Sequence, residues 1–470
     1  MGQLDLVSIS KNKSFVQRCR VLSNDFTFEF AHFDSADAFF AENENSGTIR
    51  CFILDCTEFD NIHEAAGTIQ VARQVMDRSY IICILDSRVT PEEMDLLKKS
   101  GANLIMLDNE FTTNSKLEFV SSQVIKSAYI PLKVIDLVPD STVSCTLYML
   151  MPKNGKFLKI SKPGSKISAD FIKKYTEAQE LFIHRNDLPA WIEYIQKYQQ
   201  HDESNDARSC RANFLKLQQA FLELVLLISD QTTSTSFSAG RDLFANCEGF
   251  CQELLSSLTD VQYPWEVINS SSIGDFGSVE RGTAVAAYAG MLSHVALPDM
   301  SAKIMIGALL ADIGLILVSP SVTKKVRNGA VASFEGEEKM EFEKHPIYSL
   351  NQILSKRIPL DDRTKDIILM SHERLDQKGF PNRPGAVKIK EECMIARLAA
   401  ELDQALTMKM GEERIQFKEV FQNFITKKIA DLDGYSLTLL LKLKPLFEGK
   451  LKDETFIAGT TKGKNLYGFR

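Results

Sequence analysis

Short apolar runs alternate with helical segments through the first 135 residues, and this alternation restricts the choice of fold more than any other feature of the chain. Strand-like runs fall at 4–9, 27–32, 50–55, 80–85 and 103–107, with helical segments at 12–22, 35–43, 63–76, 91–100 and 117–128. The run at 50–55 is continuously apolar, as in a strand covered on both faces. Thr90 is placed to cap 91–100 and Gly101 to stop it. Strands separated by helices pair in parallel, so this part is predicted to be a doubly wound α/β sheet.

The pattern changes after that point. Runs at 145–150 and 157–160 flank Asn154-Gly155, a strong turn signal, and predict a hairpin. Lys162-Pro163-Gly164 marks another turn, Ser168 can cap a helix running to Tyr175, and 180–184 reads as a further strand. These form a small α+β module. Its lysines, Lys153, Lys156, Lys159, Lys162 and Lys166, read as a solvated face rather than a ligand patch. A polar stretch at 199–208 reads as a linker. The segment 212–229 carries Phe214, Leu217, Phe221, Leu224, Val225 and Ile228 at helical spacing, and its second half is apolar nearly all round. Such a helix must be packed or intermolecular, and a homodimer is expected on that ground. The predicted units are 1–135, 138–198, the linking and entry helices 209–260, and an all-α part at 261–470.

At 470 residues the chain is too long for one core. Its net charge of -7 argues against general nucleic-acid binding, which wants a basic face. Nine scattered cysteines without a C-x-x-C pair fit a reducing compartment. The first residues are not a basic stretch leading into an apolar run, and the apolar run at 304–318 is broken by Asp312 and short for a membrane span. A cytoplasmic protein without a membrane span is expected.

Four motifs carry chemistry. They are LLADIGL around Asp312, Lys344-His345-Pro346, SHERLDQKGFP from Ser371 to Pro381, and AELDQALT from Ala400 to Thr407. Imidazoles and carboxylates on separate helices can converge on a metal ion. In order and spacing the motifs resemble the HD-GYP family, a branch of the HD-domain phosphohydrolases that hydrolyses cyclic di-GMP at a multi-metal centre, and the resemblance spans 278–407. It implies Asp312, His345, His372 and Glu401 as metal ligands, with Arg374 and Lys378 as phosphate contacts. It also shows what has been lost. Ala311 and Ser371 stand where the family has histidines, Leu315 where it has a lysine, Gln404 where it has a second aspartate, and Arg281 near where a further histidine is expected. Phe380 replaces the tyrosine of the family's GYP element, and Gln377 its first glycine.

The first unit resembles a response-regulator receiver domain, with Asp55 at the end of the third strand as the phospho-acceptor candidate. Ser8 and Ser10 stand where receivers place their Mg²⁺-binding acids, and Asp108 or Asn109 where they place a lysine, so phosphoryl transfer lacks its charge neutralisation. A pseudo-receiver is expected, with Asp55 structural.

These resemblances together imply a bacterial signalling protein with a reduced metal site. It would be a non-catalytic regulator or scaffold linked to cyclic di-GMP and to other signalling proteins. The alternative is a working metal-dependent cyclic di-GMP phosphodiesterase. Catalysis is assigned to no residue, Asp312 being the candidate. The cofactor expected is at most one divalent metal, iron or manganese.

Overall fold

The structure, a computed structural model, describes residues 4–42, 49–151, 156–176, 180–198, 203–230, 236–271, 279–407 and 417–449. The N-terminal unit contains β1 (Leu4–Ile9), α1 (Lys13–Phe26), β2 (Phe30–Phe33), α2 (Ala36–Glu42), β3 (Ile49–Asp55), α3 (Ile62–Val75), β4 (Tyr80–Leu85), α4 (Pro91–Ser100) and β5 (Leu104–Leu107). All five strands are parallel, in the order β2-β1-β3-β4-β5. That is the doubly wound order in which the strand sequence reverses beside β1. Val7, Phe52, Leu54, Ile81 and Cys83 face α2, α3 and α4, while Leu6, Cys51, Ile53, Ile82 and Ile84 face α1. The period-2 alternation therefore serves two cores, which is why the strands read as unbroken apolar runs. At α4 the cap is a reciprocal pair between Thr90 and Glu93, and Gly101 ends the helix at φ 115°.

Two boundaries differ from the sequence reading. Helix α1 runs on to Phe26 and stops where Thr27 turns left-handed at φ 57°, so β2 starts only at Phe30. The closing helix begins early, as α5 (Asp108–Thr113), and resumes as α6 (Lys116–Val120) followed by a wide turn, Ser121–Lys126. The break at Asn114-Ser115 has a cause. The Ser115 amide and hydroxyl are drawn away to carbonyls of the C-terminal part.

The small module is a four-stranded antiparallel sheet, order β6-β11-β8-β9, made of β6 (Tyr129–Lys133), β8 (Tyr148–Met151), β9 (Lys156–Lys159) and β11 (Glu180–His184). A separate pair joins β7 (Ser141–Val143) to β10 (Ser165–Ile167). The expected first unit, 1–135, takes in Tyr129–Lys133, but this strand pairs with β11, Ile130 opposite Ile183. The hairpin registers Met149 against Leu158, and its Asn154-Gly155 turn, with Lys153, lies outside the described residues. Ser168 accepts from the Phe171 amide and starts α7 (Ala169–Tyr175); α8 (Leu188–Lys197) follows β11.

The rest is helical. Helix α9 (Glu203–Ser229) packs on α10 (Ser236–Asp260), so the stretch read as a linker is already helical from Glu203. Its apolar residues, Phe214, Leu217, Phe221, Leu224, Val225 and Ile228, are buried by this chain's own helices. The face on which the dimer expectation rested is thus covered internally. Asn205–Ser229 and Pro298–Leu317 are long and apolar enough to cross a bilayer by length and composition, and 67% and 72% of their respective 18-residue apolar windows are buried here. There follow α11 (Pro264–Ser271), α12 (Gly282–Ala296), α13 (Ser301–Leu310), α14 (Pro320–Arg327), α15 (Gly336–Glu343), α16 (His345–Ser355), α17 (Asp362–Met370), α18 (Glu391–Thr407), α19 (Phe417–Asp431) and α20 (Leu437–Phe447). The α1 face of the N-terminal sheet and these helices share one continuous apolar core.

Candidate metal centre

Three helix ends meet at one point. Asp312 heads the tight turn Ile313–Leu317 that follows α13, His345 opens α16, and His372 lies just beyond α17. The turn lies flat against α16 because Gly314 has no side chain. A Cβ there would fall 2.0 Å from the His345 carbonyl oxygen. The Gly314 amide donates to the Ser349 hydroxyl (2.7 Å), which in turn donates to the Ala311 carbonyl (2.5 Å). Two of the three site elements are clamped together in this way.

The His345 ring is 1% exposed. Its Nδ1 donates to the Phe342 carbonyl at 2.6 Å, which fixes the tautomer and leaves the Nε2 lone pair directed at the cluster. Nε2 lies 3.1 Å from His372 Nε2, and each of these nitrogens is 3.3 Å from Asp312 Oδ1. His372 is backed by Phe380, stacked at 4.6 Å, whose amide donates to the His372 carbonyl at 3.2 Å. At Gly379 a Cβ would sit 2.5 Å from that same carbonyl oxygen, so glycine is what lets the loop close on the histidine.

Burial works against ionising Asp312, but an imidazole proton beside it, as on His372 Nε2 when it donates across the 3.3 Å contact, outweighs burial and holds the carboxyl well below the usual carboxylate range. Burial lowers His345 and keeps it neutral. A neutral imidazole and an ionised carboxylate are the forms a cation requires. The three edges of 3.1 to 3.3 Å also fit one ion. Ligands about 2.0–2.1 Å from a tetrahedral metal are separated by about 3.3 Å. The donor set, two imidazoles and one carboxylate on a shared face, suits iron, manganese or zinc and leaves the opposite side open.

Glu401, the fourth residue expected as a ligand, does not join the cluster; among the described residues the group is Asp312, His345 and His372. Its carboxylate is taken by Arg397 (3.1 Å) and Lys428 (2.5 Å). Arg281 is closed off by a buried two-pronged pair with Asp403 on α18, one arm at 3.0 Å. Arg374 is spent on Asp376 (2.6 Å) and Asp433 (2.5 Å) rather than offered to a ligand. Lys378 is exposed and lines the cavity beside the cluster, which has a volume of about 330 Å³ and is also lined by Arg281, Arg397, Glu401 and Asp403. Leu315, at the position expected for lysine, is buried.

Sequence reasoning missed Asp403, Arg397 and Asp433. Asp403 had a signal. It shares a helix face with Ala399 and Leu406, and a charge there needs a buried partner. Arg397 donates to the Glu373 and Asp433 carbonyls (2.8 and 2.6 Å) and lies 3.6 Å over the Tyr435 ring. These contacts tie the loop after α17 to the turn after α19.

Asp55 lies apart, in the N-terminal sheet, and is 3% exposed. It accepts from the Ser10 hydroxyl (2.8 Å), the Thr57 hydroxyl (2.6 Å) and the Thr57 amide (3.1 Å). Glu58 takes the Lys11 amide at 2.8 Å. Ser8 bonds His32 at 3.3 Å. Asp108 and Asn109 are exposed at the start of α5.

No family model matches the sequence, and no curated protein does. Among solved structures the chain is similar to Bd1817, a HDG"Y"P protein from Bdellovibrio bacteriovorus, with 16% identity and a TM-score of 0.41, over 68% of this chain and all of that one.

Proposed function

We propose that this chain is a signalling protein of HD-GYP type that holds one divalent metal through Asp312, His345 and His372 and does not turn over cyclic di-GMP. The observation that carries this reading is the pairing around the cluster. The nearby acids that would serve a second metal are each neutralised by a fixed cation, Glu401 by Arg397 and Lys428, and Asp403 by Arg281. Metal-assisted phosphodiester hydrolysis is best supported by two ions that hold the attacking and the leaving oxygen. A single ion would supply Lewis acidity toward one phosphoryl oxygen. The residues around it add little, because Arg374 is neutralised and Leu315 is apolar. The N-terminal sheet fits a protein-contact role, since the lone pairs of Asp55 are engaged by its own chain.

The test is cyclic di-GMP hydrolysis by the full chain after loading with Mn²⁺ or Fe²⁺. The proposal expects no product above a metal-only control. Turnover that disappears on His345→Ala would establish the phosphodiesterase reading in its place.

A further inference from the structure

The cavity beside the cluster has a wall that a bound ion alone does not use. Its volume of about 330 Å³ is far more than a few waters need and falls at the lower end of the range for organic ligands. The wall is apolar. Val285 on α12, Leu315 in the Asp312 turn, Val326 on α14, Val331 beyond that helix and Phe342 on α15 all line it. Covering such a surface with an apolar group removes it from water, which favours binding. Gln404 on α18 also lines the cavity, and its side-chain amide has no hydrogen-bond partner among the described residues.

Charge decides the other end of the ligand. Asp312 is the one carboxylate in the cluster, so a divalent ion held there keeps one unit of net positive charge. The remaining charged groups of the cavity are engaged with one another or with their neighbours. Arg281 is paired with Asp403, Arg397 with Glu401, and Arg374 with Asp376 and Asp433. Lys378 is exposed, where solvent screens it. A neutral ligand leaves the ion uncompensated beside an apolar wall. A phosphate monoester brings more than one negative charge at neutral pH, and Leu315 offers it no cation. A single negative charge balances the ion.

We propose that the cavity binds a small organic monocarboxylate, its carboxylate on the ion held by Asp312, His345 and His372 and its apolar body against Val285, Leu315, Val326 and Val331. This ligand site exists only if the ion is held as proposed above. Gln404 offers the body one further hydrogen bond.

The test uses the full chain loaded with Mn²⁺ and desalted, with the ion content of each sample measured by mass spectrometry. The probe is para-fluorophenylacetate followed by fluorine NMR, because a paramagnetic ion beside a bound ligand broadens its line. One ion per chain is expected, with saturable broadening of the acid and none of the neutral para-fluorophenylacetamide. Unlabelled phenylacetate should reverse the broadening at a lower concentration than phenyl phosphate does. Val331→Trp adds bulk to the wall at a residue outside the cluster. It should keep the ion and weaken the acid by about tenfold or more. The wild-type comparison of acid and amide stands whether or not that variant folds. No ion on the wild type would remove the metal reading and this ligand with it. One ion per chain with the acid unbroadened, with acid and amide broadened alike, or with phenyl phosphate the better competitor would overturn the monocarboxylate alone.

Discussion

The backbone amide of Ser115 donates to the carbonyl of Ile316 at 3.0 Å, joining the end of the N-terminal unit to the turn that begins at Asp312. The Ser115 hydroxyl adds a bond to the Val318 carbonyl at 2.9 Å and exchanges another with Thr323 at 2.8 Å. The other side of the site is held similarly. Gln352 on α16, the helix that opens with His345, and Lys356 just after it donate to the carbonyls of Ile228 in α9 and Asp230 just beyond it, and Lys116 donates to the Ser229 carbonyl between them. The elements carrying two candidate ligands are thus fastened to the N-terminal unit and to the connecting helix.

Ser115→Ala is expected to lower stability by about 1–2 kcal/mol, the cost of a lost buried hydroxyl bond. It is also expected to weaken metal affinity, because the Asp312 turn loses an anchor. Denaturant unfolding alongside a metal titration separates the two effects. Lower stability with unchanged affinity would confine Ser115 to packing.

The cluster makes a distinction among the candidate ligands. His345→Ala and His372→Ala should each abolish metal retention, whereas Glu401→Gln should leave it intact, since Glu401 is engaged by Arg397 and Lys428. Metal analysis of the three purified variants checks this. Loss of metal in Glu401→Gln would place Glu401 among the ligands after all.

Arg281 and Asp403 are 6% and 4% exposed as a pair. Arg281→Met leaves a buried carboxylate without its cation and should cost about 3–5 kcal/mol. Adding Asp403→Leu should restore most of it, because two apolar groups leave no charge stranded. Chemical denaturation of the single and double variants reads the coupling directly. Additive losses would contradict it.

His184 on β11 is lowered to about 4, chiefly by burial and next by the charge of Arg78. Its folded value lies below its unfolded value of about 6.5, so the unfolded chain takes up the proton first as pH falls. Its contribution is fully present above pH of about 6.5 and is lost progressively toward about 4, by about 2 kcal/mol once partial exposure is allowed for. His184→Gln should flatten stability across that window. An unchanged slope would assign the acid sensitivity to other groups.

Local chemistry made much of the architecture readable in advance. Thr90, Glu93 and Gly101 bound α4 as their side chains dictate, and β1 and β4 end where their apolar runs end. What could not be read depends on distant partners. The Ser115 break in the closing helix needs carbonyls about two hundred residues away. Tyr129–Lys133 has no alternation that assigns it to one sheet or the other, and β11 decides. The same holds at the site. Asp312, His345 and His372 could be named from the resemblance of their motifs to a known family, but the diversion of Glu401 depended on Lys428, which lies beyond the last motif.

Metal stoichiometry of the purified full chain, measured by mass spectrometry after loading with Mn²⁺ or Fe²⁺, tests the central claim most directly. The account predicts one ion per chain, lost in His345→Ala. Two ions per chain would contradict it, since that would require ligands from among the acids that are held by arginine and lysine here.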